Sequence, residues 1–433
     1  MAEPRSPSLW GASSFGGVLR RFFLACGLVA LATAAVAAPH AALAAAGRTW
    51  SPFMLVAGLL LIGGVAHEEG SFERAASAIA RLRGGPSILL LASLALVATV
   101  TALLNLDTAA AFLTPVLILS ARSRRVAEAP FVLGSLVMAN AASLLLPGSN
   151  LTNLLVLGPD HLSGAAFAAR MLPAWLAAVA VTAAVVLVYG RLVTRAEEAG
   201  RPAPLLPLPD SDPVQPARPQ TAGPQPAGPQ PAAPAGPQTA GPQTAAPPAT
   251  TRVRRGGRVG LAAAVMAGVA MVALREAAIP VAAIGVTAAA VRLAQRRLDW
   301  RRIQGTVDVA VLVGLFSVAT ALWTLATTWS GPAHLLSRLS GWETAAAGAL
   351  ASVVLNNLPA AALLGSHSVA HPRALLLGLD LGPNLAITGS LSALLWFQAA
   401  RQVGVRPSLT LVSKVGIVLV PLSILAASLA LRL

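Results

Sequence analysis

The sequence predicts an all-α polytopic membrane protein with about nine full spans and two re-entrant hairpins, arranged as two inverted repeats that each contain one hairpin and one broken transmembrane helix. Three observations lead there. The chain is 56% hydrophobic and only 11% charged, with a mean hydropathy of +0.71, whereas a soluble domain carries about 25% charged residues. Its apolar residues fall in runs long enough to cross a bilayer, without the alternation of barrel strands. Most of its 31 basic residues gather at one end of those runs, as the positive-inside rule requires.

Only helices and closed barrels satisfy backbone polar groups in lipid, so the runs are read as helices. The first covers 22–46, behind Arg20 and Arg21, and the second 50–66. Basic residues, an apolar core and the small residues of AVAAP resemble a secretory signal peptide. Arg20-Arg21-Phe22-Phe23-Leu24 also resembles a twin-arginine signal. The length of the run and the spans behind it favour a retained first helix. A polar, amphipathic stretch from His67 to Arg83 comes next, then runs at 86–121, 127–157 and 164–194. Residues 196–255 are rich in Pro, Ala, Gly and Gln, and AGPQ occurs four times, beginning at Ala222, Ala227, Ala235 and Ala240. This composition predicts a disordered, extended linker. It divides an N-terminal membrane repeat, 1–195, from a C-terminal one, 256–433, whose runs lie at 257–275, 277–291, 303–329, 342–366, 372–400 and 407–431.

The arginines orient the helices. With the N-terminus and the linker on the cytoplasmic side of the cell (inner) membrane, only Arg48, Arg170, Arg275, Arg338, Arg373 and Arg432 fall outside, and Lys414 lies within the last span. This holds if 86–121 and 342–366 are hairpins that return to their own side. A single crossing by 86–121 would leave either Arg81 and Arg83 or Arg122, Arg124 and Arg125 outside. The polar stretch Asn105-Leu106-Asp107-Thr108 sits near its middle, where a hairpin tip belongs. The same asymmetry explains the net charge of +15 without nucleic acid.

Four polar clusters interrupt the apolar runs: LLNLDTAAAFLTP (103–115), MANAASLLLPGSNLTNLL (138–155), VVLNNLPAAALLGS (353–366) and GLDLGPNLAITGS (378–390). The first and third lie mid-hairpin. The second and fourth lie in the next run of each half, the broken helices 127–157 and 372–400. Paired breaks at corresponding positions point to a midplane site, where free helix N-termini face anionic groups and unwound carbonyls hold cations. Asn offers donor and acceptor without permanent charge. Asp107 and Asp380 are intramembrane carboxyl groups, expensive unless neutralised, paired or hydrated, and so are candidate carriers of H+, or of Na+. A lone membrane Asn often only bonds a neighbouring helix; four clusters in two matched pairs argue against that reading for the set. Asp308 reads as a partner of Arg301 or Arg302, and Glu343 as a first-turn acid. Cys26 is the single cysteine, so neither an internal disulfide nor a thiolate cage can form. No His or Cys spacing suggests zinc. There is no Walker A sequence and no G-x-S-x-G elbow. The expectation is therefore a carrier and not an enzyme, with no cofactor beyond its coupling ion.

The clusters resemble the arsenical-pump membrane protein family (ArsB type), within the ion transporter superfamily that also holds citrate and dicarboxylate carriers and sodium/proton antiporters. LLLIGGVAHEEGSFERAA is similar to the family's second helix and its amphipathic extension. The resemblance implies a rocking or elevator-like exchange across a site formed by Asn105, Asp107 and Thr108, by Ser149, Asn150, Thr152 and Asn153, by Asn356 and Asn357, and by Asn384, Thr388 and Ser390, with Asp380 standing where the family commonly has Asn. It also implies proton-driven efflux of arsenite or antimonite. Citrate, dicarboxylate or another anion, and Na+/H+ exchange, are the alternative cargoes of the same fold, and a soluble ATPase subunit driving a channel-like membrane subunit is the alternative of another class. A small inorganic or anionic substrate, the lipid bilayer and a second copy in a homodimer are the remaining expected partners.

Overall fold

A computed structural model describes residues 14–157, 162–200, 257–296 and 308–433. Its described residues form helices throughout, six of them long and apolar enough to cross a membrane, with further apolar helices of 10–17 residues. The linker from 201 onward, and Arg301 and Arg302, lie outside the described residues.

The first two helices are α1 (Ser14–Ala37) and α2 (Pro39–Glu68). The boundary falls at Ala38, not between residues 46 and 50. Pro39 has no N–H to give and suits a first helical position, so the chain restarts there. Gly47 and Arg48 continue the helix, held by Thr49, whose hydroxyl lies 2.9 Å from that of Thr320. Gly70, at φ 71°, ends this helix in the left-handed region that glycine enters freely. The amphipathic α3 (Ser71–Ala80) follows.

The segment 86–121, expected to be a hairpin, is interrupted near its middle. Helix α4 (Pro86–Leu103) stops at Leu104. Asn105 is extended, and its side chain accepts a bond from the Thr108 N–H at 2.7 Å, capping a fresh start. Leu106–Thr108 and a π-helical stretch, Ala109–Leu113, lead into α5 (Thr114–Ser123). The Arg124 guanidinium then donates to the carbonyls of Ala80 (2.5 Å), Leu82 (3.2 Å) and Gly84 (3.1 Å). The end of this segment is thereby tied to its beginning. Arg124→Ala should loosen this base and lower stability by about 1–3 kcal/mol, read as a lower thermal midpoint in detergent. An unchanged midpoint would mean that these bonds do not hold the hairpin.

Helix α6 (Ala129–Ala142) breaks before α7 (Leu151–Leu157), and the long α8 (Gly164–Glu198) closes the first half. The second half opens with α9 (Val259–Ala273), α10 (Ala278–Ala294), α11 (Val309–Thr328) and α12 (Gly331–Ser337). Its hairpin is α13 (Gly341–Leu355) and α14 (Asn357–Leu364), and α12, which precedes it, touches α14, which ends it. The expected first-turn acid Glu343 forms a reciprocal capping box with Ser340. Helix α15 (Pro372–Leu381) then breaks before α16 (Leu391–Gln402), and α17 (Leu409–Leu431) ends the chain.

The packing is reciprocal. Helix α1 lies along α11 and α2 along α10. Residues 106–113 of the first hairpin pack on α16, while α14 of the second packs on α7. Helices α8 and α17 pack on each other. Each half thus packs against the broken segments of the other.

Candidate functional site

Both hairpin tips are built on an asparagine that caps the helix after it. Asn105 does so in an extended conformation. Asn356 does so at φ 81°, which few side chains adopt, with its Oδ1 3.4 Å from the Leu358 N–H. Both breaks use the same device. After α6 the chain runs through a turn at Pro147–Ser149 to an extended Asn150, whose Oδ1 accepts from the Thr152 N–H at 3.3 Å. After α15 it runs through turns at Gly382–Leu385 and Ile387–Gly389 to an extended Ser390, whose hydroxyl accepts from the Ala393 N–H at 3.2 Å. Pro147, Pro383 and the flanking glycines interrupt the helical ladder. Gly416 on α17 has no Cβ to collide with the carbonyl of Asn384, so the second break can lie against that helix.

The two breaks interlock. Asp380 is fully buried and its Oδ1 accepts from Asn150 Nδ2 at 2.9 Å and from the Thr152 hydroxyl at 2.6 Å. Asn140 Nδ2 donates to Asn384 Oδ1 at 2.7 Å. Asn153 donates to the carbonyls of Ser143 (2.8 Å) and Leu146 (3.2 Å), which pins the first break from within. Several buried polar atoms here have no protein partner among the described residues: Asp380 Oδ2, Asn153 Oδ1, Asn140 Oδ1, Asn105 Nδ2 and the Thr108 hydroxyl. Buried polar atoms are nearly always bonded, so these atoms are open to water or to a polar ligand, and the Asp380 oxygen also to a proton or a cation. Among the described residues no basic side chain pairs with Asp380 or Asp107.

A cavity of about 70 Å³, room for several waters, lies where the first tip, the first break, the second tip and α16 meet the scaffold helices α2 and α11. Asp107, Asn150 and Asn357 line it, together with Ser392 and Asp308. Ser392 donates its hydroxyl to Asp107 Oδ1. Asn150 therefore faces both this cavity and Asp380.

Of the residues nominated from sequence, Asp107, Asn150 and Asn357 reach the cavity, Asp380 and Thr152 stand behind it through Asn150, and Asn153 pins the first break. The others hold the frame. Ser149 donates to the Ala102 carbonyl at 3.2 Å, Asn356 to the Thr388 carbonyl at 2.9 Å, and the Thr388 hydroxyl to the Val353 carbonyl at 3.3 Å. Asn105, Thr108, Asn384 and Ser390 act within caps and breaks. Asn140, Ser143 and Ser392 escape the sequence reading. Asn140 and Ser143 stand inside the second polar cluster, and Ser392 lies two residues beyond the fourth. Asp308, expected to pair with nearby arginines, caps α11 through the Ala310 (3.1 Å) and Val311 (3.3 Å) N–H groups, pairs with Arg20 at 3.1 Å and also lines the cavity.

Comparison with known proteins gives a family and a fold. A family model described as a citrate transporter matches residues 12–427. A search of curated proteins returns no match. Among solved structures, the YdaH transporter of Alcanivorax borkumensis, reported as having an unusual topology, superposes with a TM-score of 0.51 at 13% identity, over 95% of this chain and 97% of that one. That identity carries the fold alone. The family match is to the citrate branch, the alternative cargo in the sequence reading; the arsenical-pump specificity is not supported by either match.

Proposed function

The chain belongs to the citrate-transporter family, and on that premise we propose that this secondary transporter carries citrate or a related di- or tricarboxylate, coupled to protons, through two inverted repeats. One observation carries the reading: Asn150 of the first break and Asp380 of the second bond each other behind a cavity that both hairpins reach. A site shared between repeats changes when either repeat moves, which is what alternating access needs.

The charge of the site constrains the cargo. Asp107 lines the cavity and Asp380 backs it, each without a basic partner among the described residues, while Asp308 is paired with Arg20, and no lysine or arginine is among the lining residues. A bare polycarboxylate would be repelled there. The substrate therefore arrives with compensating charge, and Asp107 and Asp380 are the groups that supply it by binding protons, with Na+ as the other candidate. With the N-terminus on the cytoplasmic side, as the arginines argue, the end of the cavity beside the Arg20–Asp308 pair is its cytoplasmic side.

A second reading, arsenite or antimonite efflux, rests on the small volume of the cavity and its hydrogen-bonding walls, which suit a small neutral hydroxide. Cys26 is exposed on α1 and gives no thiolate at the site. Proteoliposomes loaded against a panel of labelled citrate, succinate and arsenite, with imposed pH or Na+ gradients, separate the readings. Citrate accumulation that follows the pH gradient is the expected result, and Asp107→Asn should flatten its pH dependence. Arsenite transport with no carboxylate transport would overturn the proposal.

A further inference from the structure

A larger cavity, of about 430 Å³, lies on the other side of the first break. Its size is that of small-molecule sites, whereas the inner cavity is well below that range. Neighbouring residues of α2 and of the first break line the two cavities separately. Leu55 of α2 faces the large one and Val56 the small one; Gly148 of the break faces the large one and Asn150 the small one. The break is thus a thin septum between them.

The large cavity lies toward the other end of α11 from the Arg20–Asp308 pair: Asp308 precedes that helix and Trp323, near its last turn, lines the cavity. Arg48 lies on its wall, and Glu69, at the far end of α2, marks the other end. The stretch of helix between them extends about 30 Å, close to the thickness of a bilayer core. Helix α10 repeats the relation: Arg275 precedes it at the large cavity, and Arg292 near its other end pairs with Glu69. Arg48 and Arg275 are exposed and neither has an ion-pair or hydrogen-bond partner among the described residues. Glu276 is the acid on the same wall, also exposed and unpaired, so among the described residues the wall carries two arginines against one acid. The ring of Trp50 and that of Trp323 complete it.

We propose that this cavity is an anion-capturing vestibule, in which Arg48 and Arg275 hold a polycarboxylate at the outer end before the Gly148–Asn150 septum opens to the inner site. The inference rests on the carboxylate reading above and adds a site to it. Two guanidinium groups with free N–H forks match carboxylates in geometry as well as charge. Their place outside the acidic inner cavity explains how an anion reaches a site that carries no basic residue: it is gathered by arginine first, and its charge is compensated at the carboxyl groups afterwards.

The experiment is citrate uptake into proteoliposomes by wild type, R48Q/R275Q and R170Q at low and high ionic strength. Arg170 is exposed at the same end, outside the cavity. The double variant should raise KM roughly tenfold at low salt, with the gap closing as salt screens the wild-type field, and R170Q should not change it. In parallel, citrate should quench tryptophan fluorescence of the purified protein through Trp50 and Trp323, and R48Q/R275Q should remove that quench while Asp380→Asn keeps it. Wild type that transports citrate with a KM untouched by R48Q/R275Q would overturn the vestibule and leave the carboxylate reading intact. Wild type that transports no citrate and shows no quench would instead remove the reading on which the vestibule rests.

Discussion

Asp380→Asn should abolish uphill accumulation of substrate while leaving exchange of labelled for unlabelled substrate in place. The substitution is chosen because the protein can keep its shape around it. Asp380 Oδ1 accepts from Asn150 and Thr152, and an asparagine Oδ1 can accept both bonds. Its amide nitrogen then occupies the position of Oδ2, which has no protein partner among the described residues. What is lost is the ability to take up and release a proton. One coupled proton converts a gradient of one pH unit into about 1.4 kcal/mol, or roughly tenfold accumulation. The variant should bring that ratio to one, because a site fixed in its neutral form no longer reports which side it faces. Exchange needs only that the loaded carrier moves, so it should persist. The measurement is labelled-citrate accumulation under an imposed pH gradient, followed by counterflow at equal pH, on protein that remains monodisperse. Undiminished accumulation by the variant would show that the coupling proton is carried elsewhere, with Asp107 the next candidate. Loss of both accumulation and counterflow in well-folded protein would place Asp380 in substrate binding instead.

Much of this arrangement is legible in the sequence because membrane helices announce themselves twice. Apolar length shows where helices run, and the arginines show which of them turn back. Those signals, with the polar stretch at Asn105–Thr108, predict a hairpin at 86–121, and in the structure Arg124 ties the end of that segment to its beginning. Pairing of polar clusters locates both tips and both breaks. The roles within a cluster are harder to read. Asn356 and Asn357 are neighbours of one type, yet one caps and bonds a backbone carbonyl while the other lines the cavity. Which one does which depends on the local φ and ψ, set by contacts across the halves. Asn140 and Asn384 bond each other from 244 positions apart, a distance that no spacing rule spans. The boundary of α2 escapes for a different reason. Hydropathy places a break at Gly47-Arg48, where polarity rises, but a single arginine can project outward from a continuous helix, and the backbone restarts at Pro39. Cargo is the least legible, because Asn, Ser and Thr hydrogen-bond carboxylates and neutral hydroxides alike.

Glu69→Ala should cost the protein more stability than Arg124→Ala does at the hairpin base. Glu69 sits at the end of α2, with a side chain 0% exposed, and pairs at 3.3 Å with Arg292 of α10, itself 8% exposed. Its carboxylate also accepts from the N–H groups of Val259 (3.2 Å) and Gly260 (3.0 Å), so it caps the first turn of α9 and complements that helix's dipole. Arg74 closes the arrangement by donating to the Glu69 carbonyl at 2.5 Å and to that of Gly257 at 3.3 Å. One acid thereby fastens the end of the first half's scaffold to two helices that follow the linker. Removing it leaves the Arg292 guanidinium buried with only Gln295 as a partner among the described residues and strips the cap from α9. Breaking a buried pair from one side costs about 3–5 kcal/mol, a large fraction of the about 5–15 kcal/mol that holds a typical fold together. The expected observation is a strongly lowered thermal midpoint in detergent and a poor yield of folded protein. Because most of that loss is the stranded charge, E69A/R292A should be more stable than E69A alone. A double variant whose losses simply add would mean that the two groups are held independently, and that the cap on α9, not the ion pair, carries the junction.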